Sequence, residues 1–276
     1  MDIIERGSGP ALVLIPGLQG RWEYMRAAVD ALSAFFRVLT FSLDAPDLDG
    51  YAQQVADVLS RKGIDRATIC GVSFGGLVAV RFAAQYPSRC DALILASTPR
   101  PALRLRRRHQ IYVRAPWIFG PVFLAESPLR LRPEICAAIP DASARRRFAL
   151  GGLRTLLSAP VSLSRMAARA KLIASIDLGP DCERITAPTL VVTGERHLDH
   201  VVPVEGSSEY LRLIPNARAA VLERTGHLGS ITRPDAFAAM VRDFVGASAD
   251  PSRIAHSTLD ERSARGTASP ATGRVA

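Results

Sequence analysis

Short apolar runs alternate with segments of helical periodicity along the N-terminal part of the chain. The apolar or β-rich runs are 11–15, 37–42, 67–72 and 91–96. The segments with apolar residues at helical spacing are 21–35, 48–61 and 74–85. A continuous apolar run predicts a strand buried on both faces, and strands that alternate with helices predict right-handed βαβ units in a mainly parallel sheet. The chain leaves room for one more strand before Ala11.

The alternation stops near Pro99 and resumes with a predicted strand at 189–194. Residues 99–182 are rich in Arg and Pro, and their pattern predicts helices and loops. The elements predicted further on are a helix at 204–213, a strand at 218–222 and a last helix at 234–245. The pattern therefore predicts an α/β fold whose core is built from residues 1–98 and 183–246, with an inserted helical segment between the two halves.

The composition indicates a sizeable buried core but not an ordered C-terminus. Of the 276 residues, 48% are hydrophobic and 22% are charged. After Gly246 the chain is dominated by Ala, Ser, Pro, Arg, Gly and Thr without apolar periodicity. Such a segment cannot bury enough apolar surface to offset the entropy lost on ordering, so residues 247–276 are predicted to form a disordered tail.

The cysteines and the N-terminus favour a cytoplasmic protein. Four cysteines, at 70, 90, 136 and 182, form no Cys-x-x-Cys pair, which favours free buried thiols over a zinc site or a disulfide framework. The first residues lack the basic start and the long apolar region of a signal peptide. No run approaches the roughly 18 apolar residues of a membrane span, so no membrane association is expected.

The net charge of +9 comes almost wholly from arginine, since lysine occurs only at Lys62 and Lys171. A high isoelectric point can mark a nucleic-acid-binding protein, but no zinc finger, recognition helix or basic strand with interleaved aromatic residues accompanies it. Gly7-Ser8-Gly9 precedes the first strong strand instead of following it, so it is not a dinucleotide fingerprint. Neither nucleic acid nor a nucleotide cofactor is expected.

The run Gly71-Val72-Ser73-Phe74-Gly75 lies between a predicted strand and a predicted helix. Gly-x-Ser-x-Gly alone is a weak signal, but on a sharp strand-to-helix turn it holds the serine hydroxyl clear of the sheet. The glycines stand where side chains would collide with the neighbouring strand or helix. The alternative is that Ser73 merely caps the helix. The context favours Ser73 as a nucleophile.

A serine hydroxyl needs a base, and the base needs a carboxylate to orient it. The candidate bases are His109, His197, His200, His227 and His256. His227 fits best because it directly follows the last predicted strand, and open α/β sheets bind ligands at the carboxyl ends of their strands. Glu195 and Asp199 both follow the strand at 189–194, and the residues themselves leave the choice between them open.

Acyl transfer also needs donors for the developing oxyanion. The backbone N–H of Phe74, which follows the nucleophile, is one candidate, and the N–H of Leu18 in the turn Pro16–Gly20 is the other. Gln19 in the same turn is a candidate substrate contact. Trp117, Phe119 and Phe123 either line an acyl pocket or form the core of the insertion. No metal site is predicted.

With these residues assembled, residues 3–246 resemble the α/β-hydrolase superfamily. The likeness is greatest to bacterial 3-oxoadipate enol-lactonases and related esterases, through Gly71-Val-Ser-Phe-Gly-Gly76, Tyr86-Pro87 and Leu93-Ile-Leu-Ala-Ser-Thr98. The resemblance implies the α/β-hydrolase fold, an insertion that serves as a lid over the active site, and no cofactor. The order nucleophile, acid, histidine is also the one expected of that fold.

The resemblance favours Asp199 over Glu195 as the acid. The family's acid loop reads Gly-x-x-Asp-x-x-Val-Pro, and Asp199 matches it counted back from Pro203, although the gap from Gly194 is two residues longer. The family usually has His-Gly where this chain has Pro16-Gly17. The Leu18 donor is expected to survive that change because it belongs to the backbone.

The expected function is hydrolysis of a carboxylic ester, lactone or thioester through a Ser-His-Asp triad and an acyl-enzyme. The alternatives are the same triad used for C–C bond hydrolysis, acyl transfer or perhydrolysis, and a non-catalytic binding protein on a hydrolase fold. From Arg100 to Lys171 there are fifteen basic residues against three acids, Glu126, Glu134 and Asp141. This excess indicates either attraction of an anionic small-molecule substrate or a solvated arginine face. The oligomeric state is not indicated.

Overall fold

The predicted strands pair side by side into one sheet. The computed structural model describes residues 1–102 and 116–249, except for the side chains of residues 116–125, 128 and 249. The strands are β1 (Ile3–Arg6), β2 (Ala11–Ile15), β3 (Arg37–Phe41), β4 (Ala67–Val72), β5 (Cys90–Ala96), β6 (Thr189–Thr193) and β7 (Ala217–Val221). Their order across the sheet is β1-β3-β2-β4-β5-β6-β7, with β1 antiparallel to β3 and every other neighbouring pair parallel. The predicted α/β fold with a mainly parallel sheet is confirmed.

The helices agree with the predicted segments, with local differences. They are α1 (Arg26–Leu32), α2 (Leu48–Arg61), α3 (Phe74–Gln85), α4 (Pro116–Ala138), α5 (Ala142–Ser158), α6 (Leu163–Ser175), α7 (Gly179–Glu183), α8 (Ser208–Leu213), α9 (Gly229–Thr232) and α10 (Pro234–Ala249). The first predicted helix is divided, because a 3₁₀ turn at Trp22–Met25 precedes α1. The helix predicted at 204–213 is divided in the same way by a 3₁₀ turn at Val204–Ser207.

The last helix continues beyond its predicted end. It runs to Ala249, so residues 247–249 belong to α10 and not to a disordered tail. The reason is compositional: alanine is common in low-complexity segments, but it also has the highest intrinsic helix propensity, and Ala247 and Ala249 extend a helix that is already nucleated. Residues 250–276 lie outside the described part of the chain.

The alternation of side chains along the strands divides the core into two layers. Val13 and Ile15 of β2 belong to the cluster that packs under α2 and α3. Leu12 and Leu14, which point to the opposite face of the sheet, belong to the cluster that packs under α1 and α10. Because successive strand side chains point to opposite faces, a strand covered on both sides must be apolar at every position, and this explains the continuous apolar runs.

Helices α4 to α7 form the helical insertion between β5 and β6. Helix α6 is amphipathic and buries Met166, Ala167, Arg169 and Ile173 against the core. Helix α5 buries no residue. In the described ranges, no helix combines the length and the apolar character that crossing a membrane requires.

The four cysteines are free. Cys70, Cys90 and Cys182 are buried, and burial raises the pKa of the Cys90 and Cys182 thiols to about 12. Cys136, on α4, is exposed. The expectation of free thiols is therefore met, although one of the four is open to solvent.

The turn from β4 to α3 brings three backbone segments into direct contact. A Cβ on Gly71 would clash with the carbonyl oxygen of Gly75 and lie 2.6 Å from Gly76 Cα. A Cβ on Gly75 would lie 2.7 Å from the carbonyl oxygen of Pro16, in the turn after β2. Only glycine allows the strand, the helix and that turn to approach so closely, which is the role predicted for the glycines around Ser73.

We expect Gly71→Ala to lower the free energy of unfolding by about 2 kcal/mol or more, because the added methyl meets backbone atoms that cannot move aside. Gly151→Ala is the matched control. Its Cβ would enter open space in helix α5, and it should stabilise the protein by about 0.5 kcal/mol. Urea unfolding of both variants measures the difference, and similar effects at the two sites would contradict this account.

Candidate active site

Ser73 lies at the apex of the β4–α3 turn in a backbone conformation that few residues other than glycine adopt. Its φ is 54° and its ψ is −120°. Although Ser73 occupies the N-cap position of α3, its side chain makes no capping hydrogen bond. The hydroxyl is therefore not used to end the helix. Strain of this kind is concentrated at functional sites, where surrounding packing maintains it.

The hydroxyl instead faces His227, in the loop after β7. Ser73 Oγ lies 3.0 Å from His227 Nε2, within hydrogen-bonding distance. The loop is fixed on one side by the loop after β6: Glu195 N–H donates to the carbonyl of Thr225 at 2.7 Å, and a Cβ on Gly226 would lie 2.6 Å from the carbonyl carbon of Leu198. The structure thus brings Ser73 and His227 together from strands β4 and β7.

Asp199 lies on the other side of the imidazole and is almost fully buried. Its Oδ1 accepts hydrogen bonds from the N–H groups of Val201 and Val202, both at 2.9 Å. Its Oδ2 lies 3.6 Å from His227 Nδ1, slightly beyond hydrogen-bonding distance. Burial of Asp199 opposes its ionisation, but its interaction with His227 and these two N–H groups holds its pKa below the ordinary value. Asp199 is therefore an anion at neutral pH.

Glu195, the alternative acid, faces away from His227. Its Oε1 accepts from the backbone N–H of Arg224 at 2.6 Å, and its Oε2 lies 3.5 Å from Nδ1 of His197. His197 itself is largely exposed. The geometry therefore favours Asp199 as the partner of His227, as the resemblance implied. His109 and His256 lie outside the described residues.

The turn after β2 lies directly against Ser73. A Cβ on Gly17 would be 3.4 Å from Ser73 Cβ, and the turn is closed by Gly20 N–H donating to Gly17 O at 2.8 Å. Within the described residues, no acceptor is bonded to the backbone N–H of Leu18 or of Phe74. Phe74 begins α3, where the first N–H groups have no partner within the helix, and Leu18 directly follows Gly17, whose position contacts Ser73. The role of both N–H groups as oxyanion donors stays a prediction.

The remaining predicted contacts are less close to this centre. Gln19 lines a polar cavity of about 410 Å³, together with Arg21, Asp44 and Arg165, and Ser73 does not line that cavity. The side chains of Trp117, Phe119 and Phe123 lie outside the described residues. Within the ranges 1–102 and 116–249, no group of three or more His, Cys, Asp or Glu side chains is placed to hold a metal ion.

Arg169, from helix α6 of the insertion, is a residue that the sequence analysis missed. It is 2% exposed. Its guanidinium donates to the carbonyls of Leu18, Gln19 and Leu43 at 3.1, 3.2 and 2.9 Å and to the hydroxyl of Tyr51 at 3.2 Å. This side chain fixes the turn that carries Leu18, the predicted oxyanion donor.

A signal for Arg169 was present in the sequence. The residue lies three positions after Met166 and four before Ile173, on the apolar face of an amphipathic helix. An arginine on such a face is buried only when its donors find acceptors, so its position predicts a hydrogen-bonded partner elsewhere in the chain. The overall arginine excess of the insertion concealed this one position.

The predicted electropositive surface is only partly within the described residues. The run Arg104–Arg108 lies outside them. Arg145 donates to the carbonyls of Ile139 and Pro140, whereas Arg146 and Arg147 are exposed. An anionic substrate therefore stays a prediction.

Comparison with known proteins places the chain in a family. A family model for the alpha/beta hydrolase fold matches residues 10–234. The chain is an α/β-hydrolase. This membership confirms the predicted superfamily and fold, and it agrees with the prediction that the chain is an enzyme.

The relatives of this hydrolase include esterases and other hydrolases. A pimeloyl-acyl-carrier-protein methyl ester esterase from Vibrio campbellii is 25% identical over 250 residues, which cover 86% of this chain and 95% of the relative. A 2-hydroxy-6-oxononadienedioate/2-hydroxy-6-oxononatrienedioate hydrolase from Dechloromonas aromatica is 27% identical over 271 residues, covering 87% and 88%. The enol-lactonase from Burkholderia xenovorans has the same fold, with a TM-score of 0.73 at 23% identity, over 89% of this chain and 96% of that structure.

We expect Arg169→Met to lower the free energy of unfolding by about 3 kcal/mol, because it leaves the buried carbonyl of Leu43 and the partly buried carbonyl of Leu18 without donors. Arg165→Met, one turn earlier on the same helix, is the control. Arg165 is exposed and pairs with exposed Asp44 at 2.6 Å, so its loss should cost less than about 1 kcal/mol. Urea unfolding compares the two, and equal losses would contradict the burial argument.

Proposed function

We propose that this hydrolase cleaves a carboxylic ester, lactone or thioester, with Ser73 as nucleophile, His227 as general base and acid, and Asp199 as the group that orients His227. The proposal is carried by the 3.0 Å contact between Ser73 Oγ and His227 Nε2, on a turn that holds Ser73 at φ 54°. An activated serine is recognised by a base within hydrogen-bonding distance of its hydroxyl and by a third group that orients the base.

In the first half of the reaction, His227 Nε2 accepts the proton of Ser73 Oγ as Oγ bonds to the substrate carbonyl carbon. The carbonyl oxygen becomes an oxyanion, and the N–H groups of Leu18 and Phe74 donate to it. When the tetrahedral intermediate collapses, the bond to the leaving oxygen or sulfur breaks, and His227 returns the proton to that atom. Donors placed in advance of the reaction stabilise the charge that develops in the transition state.

In the second half, water attacks the acyl carbon while His227 Nε2 takes one of its protons. Collapse of this second intermediate returns the proton to Ser73 Oγ and releases the carboxylic acid. Asp199 keeps Nδ1 of His227 protonated and stabilises the imidazolium in both halves. Its lowered pKa fits this role, because the group must be an anion when the imidazolium forms.

The helical insertion is proposed to act as a lid over Ser73. Two observations support this: it is inserted between β5 and β6, and it contacts the turn after β2 through Arg169. Its residues would select the small-molecule substrate. Because one of the relatives named above is a methyl ester esterase, ester hydrolysis is the first activity to test. C–C bond hydrolysis, acyl transfer and perhydrolysis by the same groups stay predictions.

Ser73→Ala should reduce hydrolysis of short p-nitrophenyl esters at least about a thousandfold, because it removes the attacking atom and leaves only oxyanion stabilisation and binding. The steady-state rate and labelling of the folded protein by a fluorophosphonate probe measure this effect. Wild-type protein should be labelled at Ser73 and the variant should not. A Ser73→Ala enzyme with full activity would exclude the proposal, and a folded wild type that resists the probe would favour a non-catalytic binding protein.

Asp199→Asn should reduce kcat about a thousandfold or more, because an amide neither fixes the required tautomer of His227 nor stabilises its cation. Glu195→Gln is the matched control. Its amide oxygen can still accept from Arg224 N–H, so kcat should stay within about threefold of wild type. The reverse order of the two effects would assign the role of the acid to Glu195.

A further inference from the structure

A second carboxyl group approaches the catalytic loop from the insertion. Glu134 lies on helix α4 and is 1% exposed. Its Oε1 accepts a hydrogen bond from the backbone N–H of Leu228, the residue that follows His227. Burying a carboxyl group is costly unless it makes compensating interactions, so its presence at this position requires a reason.

Glu134 lies next to the residues that precede and follow His227. Burial raises the pKa of Glu134, while the N–H groups of Leu228 and Gly226 and the charge of His227 oppose that rise. The charge of Asp199 adds to it. Glu134 therefore lies close enough to interact with the residues on both sides of His227 and with its carboxylate partner. The helix that carries it also packs against α9, which begins directly after Leu228.

Different parts of the chain hold the two sides of the His227 loop. Thr225 and Gly226 contact the loop after β6, through Glu195 N–H and the backbone of Leu198. On the other side of His227, the N–H of Leu228 donates to Glu134. Without that acceptor, the segment after His227 would lose its one hydrogen bond to the insertion among the described residues.

We propose that Glu134 is a positioning residue for His227: its carboxyl oxygen holds the N–H of Leu228 and so fixes the distance from the imidazole to Ser73. The inference rests on the proposed role of His227 as the base. Glu134 does not touch the reacting atoms. Through this hydrogen bond, the position of the His227 imidazole depends on how the insertion packs against the core.

Two conservative substitutions separate this role from a role for the charge. Glu134→Gln keeps an oxygen at the same reach and removes the charge, and its amide NH₂ replaces Oε2, which has no hydrogen-bond partner within the described residues. Glu134→Asp keeps the charge but withdraws the oxygens by one methylene. Positioning through the hydrogen bond predicts an active Gln variant and an impaired Asp variant. If instead the charge of Glu134 acted on His227, the Gln variant would be impaired and the Asp variant would stay active.

The experiment measures kcat and KM on a p-nitrophenyl ester and the hydrogen exchange of the Leu228 amide by NMR. For Glu134→Asp we expect kcat to fall about tenfold or more with KM changed less than about threefold, because a small displacement of the base affects the chemical step. The Leu228 amide should exchange about tenfold faster, while the Leu222 amide, bonded to Thr193 O, should not change. For Glu134→Gln both quantities should stay within about threefold of wild type.

Glu126, an exposed acid on the same helix, supplies the controls Glu126→Asp and Glu126→Gln, which should leave both quantities unchanged. Similar kcat in the two Glu134 variants, or a slower Gln variant, overturns the proposal. If circular dichroism shows that Glu134→Asp does not fold, Glu134→Gln alone decides. A tenfold loss of kcat in Glu134→Gln then overturns the proposal. If wild type hydrolyses no ester, lactone or thioester, the proposed function fails, and the exchange rates decide separately whether Glu134 holds the loop.

Discussion

The close approach of strand β4, helix α3 and the turn after β2 is the constraint on which the rest of the site depends. Gly71 and Gly75 leave no space for a side chain between these segments, and the chain must pass through a strained conformation at Ser73 to leave the strand and enter the helix. The turn lies where the order of strands reverses, between β2 and β4. Parallel strands deliver their loops to one edge of the sheet, so His227 and Asp199 need only follow β7 and β6 to reach the same place.

Buried charged groups connect the helical insertion to this edge. Arg169 satisfies carbonyl oxygens of the turn after β2, and Glu134 satisfies an N–H of the loop after β7. Removing either side chain would leave backbone groups that are partly or fully buried without a partner, which costs their full desolvation penalty. Arg169 donates to backbone carbonyls and Glu134 accepts from a backbone N–H, so the insertion and the core stabilise each other.

Much of this arrangement was predictable, because it follows from local patterns. Continuous apolar runs predicted strands covered on both faces, and the strand-turn-helix context of Ser73 predicted a sharp turn that holds its hydroxyl clear of the sheet. The choice of Asp199 over Glu195 needed the family pattern, since both follow the same strand and only their orientation separates them. Arg169 and Glu134 were counted as parts of a charge excess. Their function depends on contacts with segments more than ninety residues away in the chain, and periodicity does not reveal such contacts.

The distribution of thiols gives the insertion a natural reporter. Cys70, Cys90 and Cys182 are buried with raised pKa values, so their reactive thiolate forms are suppressed. Cys136 is exposed on α4, two residues from Glu134. A maleimide fluorophore or a nitroxide spin label added to the unmodified chain would therefore attach at one site. Its spectrum would report the surroundings of this helix, with and without substrate, in a chain that carries no engineered cysteine.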